Sequence, residues 1–76
     1  MNNNRRERIN KVHAKLDEIL GLIDELREEE QEAYDNMPES MQYGERGEKM
    51  QEAIDALEEA YNDVEEACDN LDTAAE

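Results

Sequence analysis

Apolar residues recur at alternating spacings of three and four along two stretches of the chain, which is the pattern of one face of an α-helix. The first stretch predicts a helix over residues 5–35, and the second predicts a helix over residues 45–73. The apolar stripe of the first helix is Ile9, Val12, Leu16, Ile19, Ile23, Leu26 and Ala33, and that of the second is Met50, Ile54, Leu57, Tyr61, Val64, Cys68 and Leu71.

The segment between the predicted helices, residues 36–44, contains the only proline of the chain, Pro38. Proline disfavours helical geometry at the residue before it, so we expect the chain to turn here. Facing residues of an antiparallel hairpin have a constant sum of residue numbers. The two stripes satisfy this condition, with Ile9 opposite Leu71 and Val12 opposite Cys68 as examples. The sequence predicts an all-α fold with one domain over residues 1–76, an antiparallel two-helix hairpin with a heptad seam.

Further apolar residues flank the predicted seam and stay uncovered in a single hairpin. They are Leu20, Leu22 and an alanine row with a period of seven, Ala53, Ala60, Ala67 and Ala74. Small side chains let another helix approach closely, so we expect a homo-oligomer, and a dimer that forms a four-helix bundle is favoured. The alternative is that the aliphatic stems of Arg8 and Lys15 cover the alanines.

The chain is strongly acidic, with 23 Asp and Glu against 8 Lys and Arg and a formal net charge of -15. This charge repels nucleic acid and anionic membranes and favours a protein partner with a basic surface. Residues 1–15 hold five of the basic side chains, which we expect to lie beside acidic residues near the end of the second helix. No apolar run is long enough to span a bilayer, and the polar first residues predict no signal peptide. We therefore expect a cytoplasmic location.

No constellation of residues indicates catalysis. The single cysteine, Cys68, and the single histidine, His13, form neither a disulfide nor a Cys/His zinc site by themselves. We expect Cys68 to be a small buried residue of the seam and His13 to contact a carboxylate at the height of Glu65 and Asp69 on the second helix. No glycine-rich phosphate loop and no calcium-loop spacing occurs. The sequence predicts a non-enzymatic protein without a catalytic, cofactor or metal site.

Two surfaces are candidates for partner binding. The acidic face comprises Asp55, Glu58, Glu59, Asp63 and Glu66, and the turn patch comprises Met37, Met41 and Tyr43. The acidic face points outward from the second helix and is expected to mimic a phosphate backbone towards a basic groove. The turn patch has the aromatic and methionine composition of protein interfaces, and its alternative role is to cap the end of the bundle.

The Asp-Asn-Met-Pro-Glu-Ser sequence of residues 35–40, joined to the Gly-Glu-Arg-Gly-Glu sequence of residues 44–48, resembles short acidic proteins encoded by Firmicutes phages and prophages. The likeness covers about residues 28–72 and implies a phage origin and a location in the host cytoplasm. Small acidic phage proteins often inhibit nucleic-acid-binding host proteins, CRISPR nucleases among them, by occupying basic grooves. The resemblance thus implies an anti-defence inhibitor. The alternative function is an oligomeric structural or regulatory helical assembly module.

Overall fold

The computed structural model describes all of residues 1–76 and contains three helices. They are α1 over Asn3–Asp35, α2 over Glu39–Gln42 and α3 over Glu45–Ala75. The predicted all-helical class is confirmed, and α1 and α3 form a long helix pair within a molecule that measures 58 × 14 × 12 Å. Neither long helix has an apolar stretch sufficient to cross a membrane.

Helix α1 begins two residues before the predicted start because Asn2 caps it. The Asn2 side chain has its Oδ1 atom 2.8 Å from the backbone nitrogen of Arg5, whose N–H group donates to it. The first N–H groups of a helix lack partners within the helix, and an asparagine cap supplies one. At the other end, α1 stops at Asp35 and Pro38 follows, where a helix would lose a backbone hydrogen bond.

The predicted turn over residues 36–44 contains the short helix α2, which packs on the start of α3. The Gln42 side chain donates from Nε2 to the carbonyl oxygens of Tyr34 at 3.0 Å and Met37 at 3.3 Å. Gly47 is buried beneath α2, and a Cβ atom on it would lie 2.8 Å from the Gln42 Cα atom and closer still to the Gln42 carbonyl group. Only glycine permits this approach.

The start of α1 lies beside the end of α3. The Arg6 guanidinium donates from Nε to the carbonyl oxygen of Ala75 at 3.1 Å. Further along the helix pair, at one side of the seam, the Cys68 Sγ atom lies 4.0 Å from Asp17 Oδ1. These contacts join residues from opposite ends of the sequence and define how the two long helices lie against each other.

The residues of α1 that contact α3 follow a row that is rotated from the predicted stripe. The half-buried row is Arg6, Ile9, His13, Leu16, Leu20, Ile23, Arg27, Glu30 and Tyr34. The predicted seam positions Val12, Ile19 and Leu26 were wrong, because their side chains are 48%, 41% and 53% exposed. On α3, by contrast, all seven predicted stripe positions are buried or half-buried.

The rotation has a simple geometric origin. A heptad seam that contains Ile9 and Leu16 is completed by residues either three or four positions after each of them. Helix α1 has apolar side chains in both of those rows, so its apolar arc is wider than one seam. In the observed rotation His13 reaches Asp72 of α3, with Nε2 3.2 Å from Oδ1.

The helix pair buries little surface. Only Gly47, Ile54 and Cys68 are buried, so two hydrophobic side chains form the core. The accessible surface is 5721 Å² for a mass of 8.8 kDa, whereas a compact monomer of this mass exposes about 4,800 Å². The excess of about 900 Å² matches the area of about 800 Å² that one partner contributes to a standard interface. The elongated shape of the helix pair accounts for a larger surface than that of a compact monomer.

Candidate interaction face

One side of the helix pair is poor in acidic residues. Residues seven apart lie on the same side of a helix in a heptad pair. Each helix therefore contributes two rows to this side, one next to the seam and one further from it. Helix α1 contributes Arg5, Val12, Ile19, Leu26 and Ala33, then Met1, Arg8, Lys15, Leu22 and Glu29. Helix α3 contributes Arg46, Ala53, Ala60, Ala67 and Ala74, then Lys49, Ala56, Asp63 and Asn70. We call these 19 residues the apolar face.

The charge on the apolar face is opposite in sign to that of the whole chain. Five of its residues are basic and two, Glu29 and Asp63, are acidic, which gives +3 in a chain with a net charge of -15. Carboxylates are costly to bury without a partner, so a surface that is buried in an assembly excludes them. The low acid content therefore distinguishes this side of the helix pair from the rest of the surface.

Large apolar side chains occupy the centre of the apolar face. Val12, Ile19, Leu22 and Leu26 are all exposed on α1. Across the seam, the alanines of α3 are half-buried at positions 53, 60 and 67. A contiguous apolar surface rimmed by charged residues is typical of a protein interaction site.

The two sequence-predicted surfaces lie outside the apolar face, except for Asp63. All five residues of the acidic face are exposed and none forms an ion pair, and its Asp63 also forms the outer edge of the apolar face. In the turn patch, Tyr43 is 77% exposed, Met41 is exposed and Met37 is half-buried. The acidic face therefore presents free carboxylates, and the turn patch presents two uncovered apolar side chains.

The expected pairing of the basic segment with the acids of α3 is absent. No Lys or Arg of residues 1–15 forms an ion pair, and Arg6 donates to backbone carbonyl oxygens instead. The helical rotation explains this, because Arg8 and Lys15 lie on the apolar face whereas Glu65 and Asp72 lie on the other side of the seam. Arg5, Arg8 and Lys15 therefore stay without ion pairs on the apolar face.

A polar cluster lies on that other side of the seam, formed by His13, Asp17, Cys68 and Asp72. The imidazole of His13 contacts both aspartates, with Nδ1 3.1 Å from Asp17 Oδ2 and Nε2 3.2 Å from Asp72 Oδ1. His13 does contact a carboxylate of α3, but its partner is Asp72 and not Glu65 or Asp69 as predicted. Cys68 is buried as predicted, and its thiol faces Asp17.

The thiol of Cys68 has a pKa above its ordinary value. Burial is the largest cause, and the negative charges of Asp17, Asp72, Asp69 and Glu65 add to it. Both effects disfavour a thiolate. In this environment the thiol stays protonated around neutral pH unless a positive charge comes close to it.

The sequence analysis did not predict that Asp17 belongs to this cluster. The detectable signal was the spacing of four residues between His13 and Asp17, which places both side chains on one side of α1. Cys68 was assigned opposite Val12, and the rotation of α1 puts the half-buried His13 in that row instead.

The helix pair has two hollows, and both are open to solvent. One is lined by Ile9, Val12 and Leu71 at the end of the apolar face, and the other lies beside Arg27 and Tyr61. No family model, no curated protein and no solved structure matches the chain.

Proposed function

We propose that this protein is a non-enzymatic helical assembly module, an antiparallel hairpin that pairs through its apolar face with a second copy to form a four-helix bundle. The observation that carries the proposal is the acid-poor apolar face in a chain of net charge -15. Pairing removes Val12, Ile19 and Leu26 from water, and the alanine rows of α3 allow close helix approach. The three residues that do not fit the seam within one copy thereby gain a packing role between copies.

The exposed area supports a second copy as the occupant. The excess surface of about 900 Å² equals one side of a standard interface. A symmetric dimer needs only one self-complementary patch, and the apolar face supplies small and large residues side by side. Most carboxylates lie outside this face and therefore remain in water when two copies pair.

The expected affinity follows from the same residues. Covering a half-exposed Val, Ile or Leu contributes about 1 kcal/mol. Val12, Ile19, Leu22 and Leu26 make eight such side chains in two copies, which contribute on the order of 8 kcal/mol. Association itself costs about 4–15 kcal/mol. The net affinity then depends on the alanine and seam contacts, and we expect a dimer whose population rises with concentration.

Sedimentation equilibrium over a range of concentrations tests this assembly. The wild-type mass should rise from that of the monomer towards twice that value. Ile19→Asp, which puts a carboxylate in the centre of the apolar face, should keep the mass at that of the monomer. Ala14→Asp is the matched control, because Ala14 is exposed on α1 outside the apolar face, and it should associate as the wild type does.

A second variant separates loss of association from loss of folding. Ala60→Glu adds bulk and charge from the α3 side of the apolar face, and it should also prevent association while circular dichroism still reports helix. The assembly proposal fails if the wild type stays monomeric at high concentration. It also fails if both variants remain helical and associate as strongly as the wild type.

A second candidate function is inhibition of a host nucleic-acid-binding or defence protein through the acidic face. Its five exposed carboxylates without ion pairs support this candidate. The resemblance to short acidic phage proteins supports it as well. In a bundle formed through the apolar faces, the carboxylates on the outer side of α3 stay accessible, so assembly and inhibition are compatible.

Two variants separate the acidic face from the turn patch as the site for a basic partner. In the first, the five acidic-face residues become Asn or Gln, and in the second, the three turn-patch residues become Ser. Binding of a protein captured from bacterial lysate should weaken and lose its salt dependence in the first variant and persist in the second. The opposite result would identify the turn patch as the interface.

A further inference from the structure

The polar cluster brings three different metal-ligand types together from two helices. Helix α1 supplies the imidazole of His13 and the carboxylate of Asp17, and α3 supplies the thiol of Cys68. One ligand atom from each lies within 4.8 Å of the other two. We propose that His13, Asp17 and Cys68 bind a single Zn²⁺ ion.

The spacing of the ligand atoms is close to that of a coordinated ion. Zinc–sulfur bonds of about 2.3 Å and zinc–nitrogen or zinc–oxygen bonds of about 2.0 Å place neighbouring tetrahedral ligands roughly 3.3–3.6 Å apart. His13 Nδ1 lies 3.1 Å from Asp17 Oδ2, and Cys68 Sγ lies 4.0 Å from the other oxygen of that carboxylate, Oδ1. With one ligand atom taken from each residue, all three lie within 4.8 Å of one another. Adjustments of about 1 Å complete the geometry, and the half-buried imidazole and the exposed carboxylate are free to make them.

Asp72 provides an independent observation in favour of the ion. It comes from α3 and lies 3.2 Å from His13 Nε2, the ring nitrogen that does not face Asp17 and Cys68. Histidines that bind a metal through one nitrogen almost always donate the other N–H group to a carboxylate or carbonyl oxygen. Asp72 is placed to accept that hydrogen bond and to hold the ring with Nδ1 towards the ion.

The ligand types select zinc among the common divalent cations. Calcium and magnesium take oxygen ligands, whereas a thiolate with an imidazole and a carboxylate suits zinc. On binding, the Cys68 thiol releases its proton to solvent, so the thiolate and the Asp17 carboxylate together balance the two positive charges of the ion. Asp69 and Glu65 add negative charge near the thiol, which also attracts a cation. Three protein ligands leave the fourth position to water.

A bound ion would fasten α1 to α3 near the chain termini. There the polar links between the helices come from Arg6, from His13 and from the 4.0 Å contact of Cys68 with Asp17. Since an ion bound only by the folded state raises stability, zinc should increase the melting temperature of the helix pair.

Cobalt titration of the full chain tests the site, because Co²⁺ bound to a thiolate gives a charge-transfer absorption band in the near ultraviolet. We expect the band to saturate at one equivalent of Co²⁺ and to disappear on addition of Zn²⁺. Cys68→Ser should abolish the band. Asp17→Asn, a change at an exposed position, should weaken binding at least tenfold, and Asp72→Asn should weaken it by about 10–100-fold.

Glu65→Gln is the matched control, since it removes an exposed carboxylate near the thiol without removing a ligand. It should change the affinity for Co²⁺ by less than about threefold, because the lost charge is exposed and screened by solvent. Absence of the band at equimolar Co²⁺ would overturn the proposal and leave His13 as a bridge between two aspartates. An equal rise of melting temperature with zinc in the wild type and in Cys68→Ser would also overturn it, because the acidic surface alone would then attract the cation.

Discussion

Gly21 and Gly47 form a matched pair of positions at which substitution by alanine should have opposite effects. Gly21 lies inside α1 with no atom within 4 Å of a Cβ placed on it. Alanine is more favourable than glycine in a helix interior by about 1 kcal/mol. Gly21→Ala should therefore stabilise the fold by about that amount, in part because alanine restricts the unfolded chain.

Gly47→Ala brings the same helix preference but also a steric overlap. The new Cβ atom would collide with the backbone of Gln42, so α2 has to move away from α3. That movement endangers the two hydrogen bonds from the Gln42 side chain, at about 1 kcal/mol each, and overpacking costs about 1–3 kcal/mol more. After the gain in helix preference is subtracted, a net loss of about 2–4 kcal/mol remains.

Thermal unfolding followed by circular dichroism measures both effects, at one protein concentration because association contributes to the melting temperature. For a domain of this size 1 kcal/mol corresponds to about 4–8 °C. Gly21→Ala should therefore melt about 4–8 °C higher and Gly47→Ala at least 8 °C lower than the wild type. If Gly47→Ala melts higher, as Gly21→Ala should, the close contact between α2 and α3 is refuted.

Three further predictions concern the seam and Cys68. Leu20→Asp places a charge in the α1 contact row and should lower the stability of the fold by several kcal/mol. Val12→Asp should leave the helicity of the monomer intact. Equal losses of stability in circular dichroism melts of the two variants would contradict the rotated seam. Because burial raises the pKa of the Cys68 thiol, a disulfide reagent at pH 8 should modify it more slowly in the native protein than in denaturant, and equal rates would argue against burial. The raised pKa also means that the unfolded thiol ionises at lower pH than the native one, so stability should fall as the pH rises above the ordinary thiol range of about 8.5, an effect that melts of Cys68→Ala should lack.

The helical class and the extent of the two long helices follow from the sequence because the apolar spacing persists along most of each stretch. The rotation of α1 does not follow. Both Ile19 and Leu20 are apolar, so periodicity alone leaves two neighbouring rows as candidates for the seam. On α3 the choice is narrower, because its large apolar side chains fall in one arc and alanines fill the adjacent row.

The candidate sites were predictable to different degrees. The sequence predicts the alanine row of α3 as an uncovered surface. It places Val12, Ile19 and Leu26 of α1 in the seam, so only the α3 half of the apolar face was predicted. The polar cluster needed the correct rotation, since only then does His13 occupy the row opposite Cys68. The close contact at Gly47 was also missed, because a glycine near a helix start indicates a weak helix as readily as a neighbouring backbone.

The contact between α2 and Gly47 has a consequence for the order in which the chain folds. Gln42 and Gly47 are near neighbours in sequence, whereas Arg6 and Ala75 are 69 residues apart. Closing a loop costs about (3/2)RT ln n, so contacts between distant residues form more readily once the intervening chain is ordered. We expect the contact between α2 and the start of α3 to form first and the pairing of α1 with α3 to extend from there towards the chain termini. Amide exchange should then be fastest near Arg6 and Ala75. During synthesis, α1 would remain unpaired until the ribosome has completed α2 and begun α3.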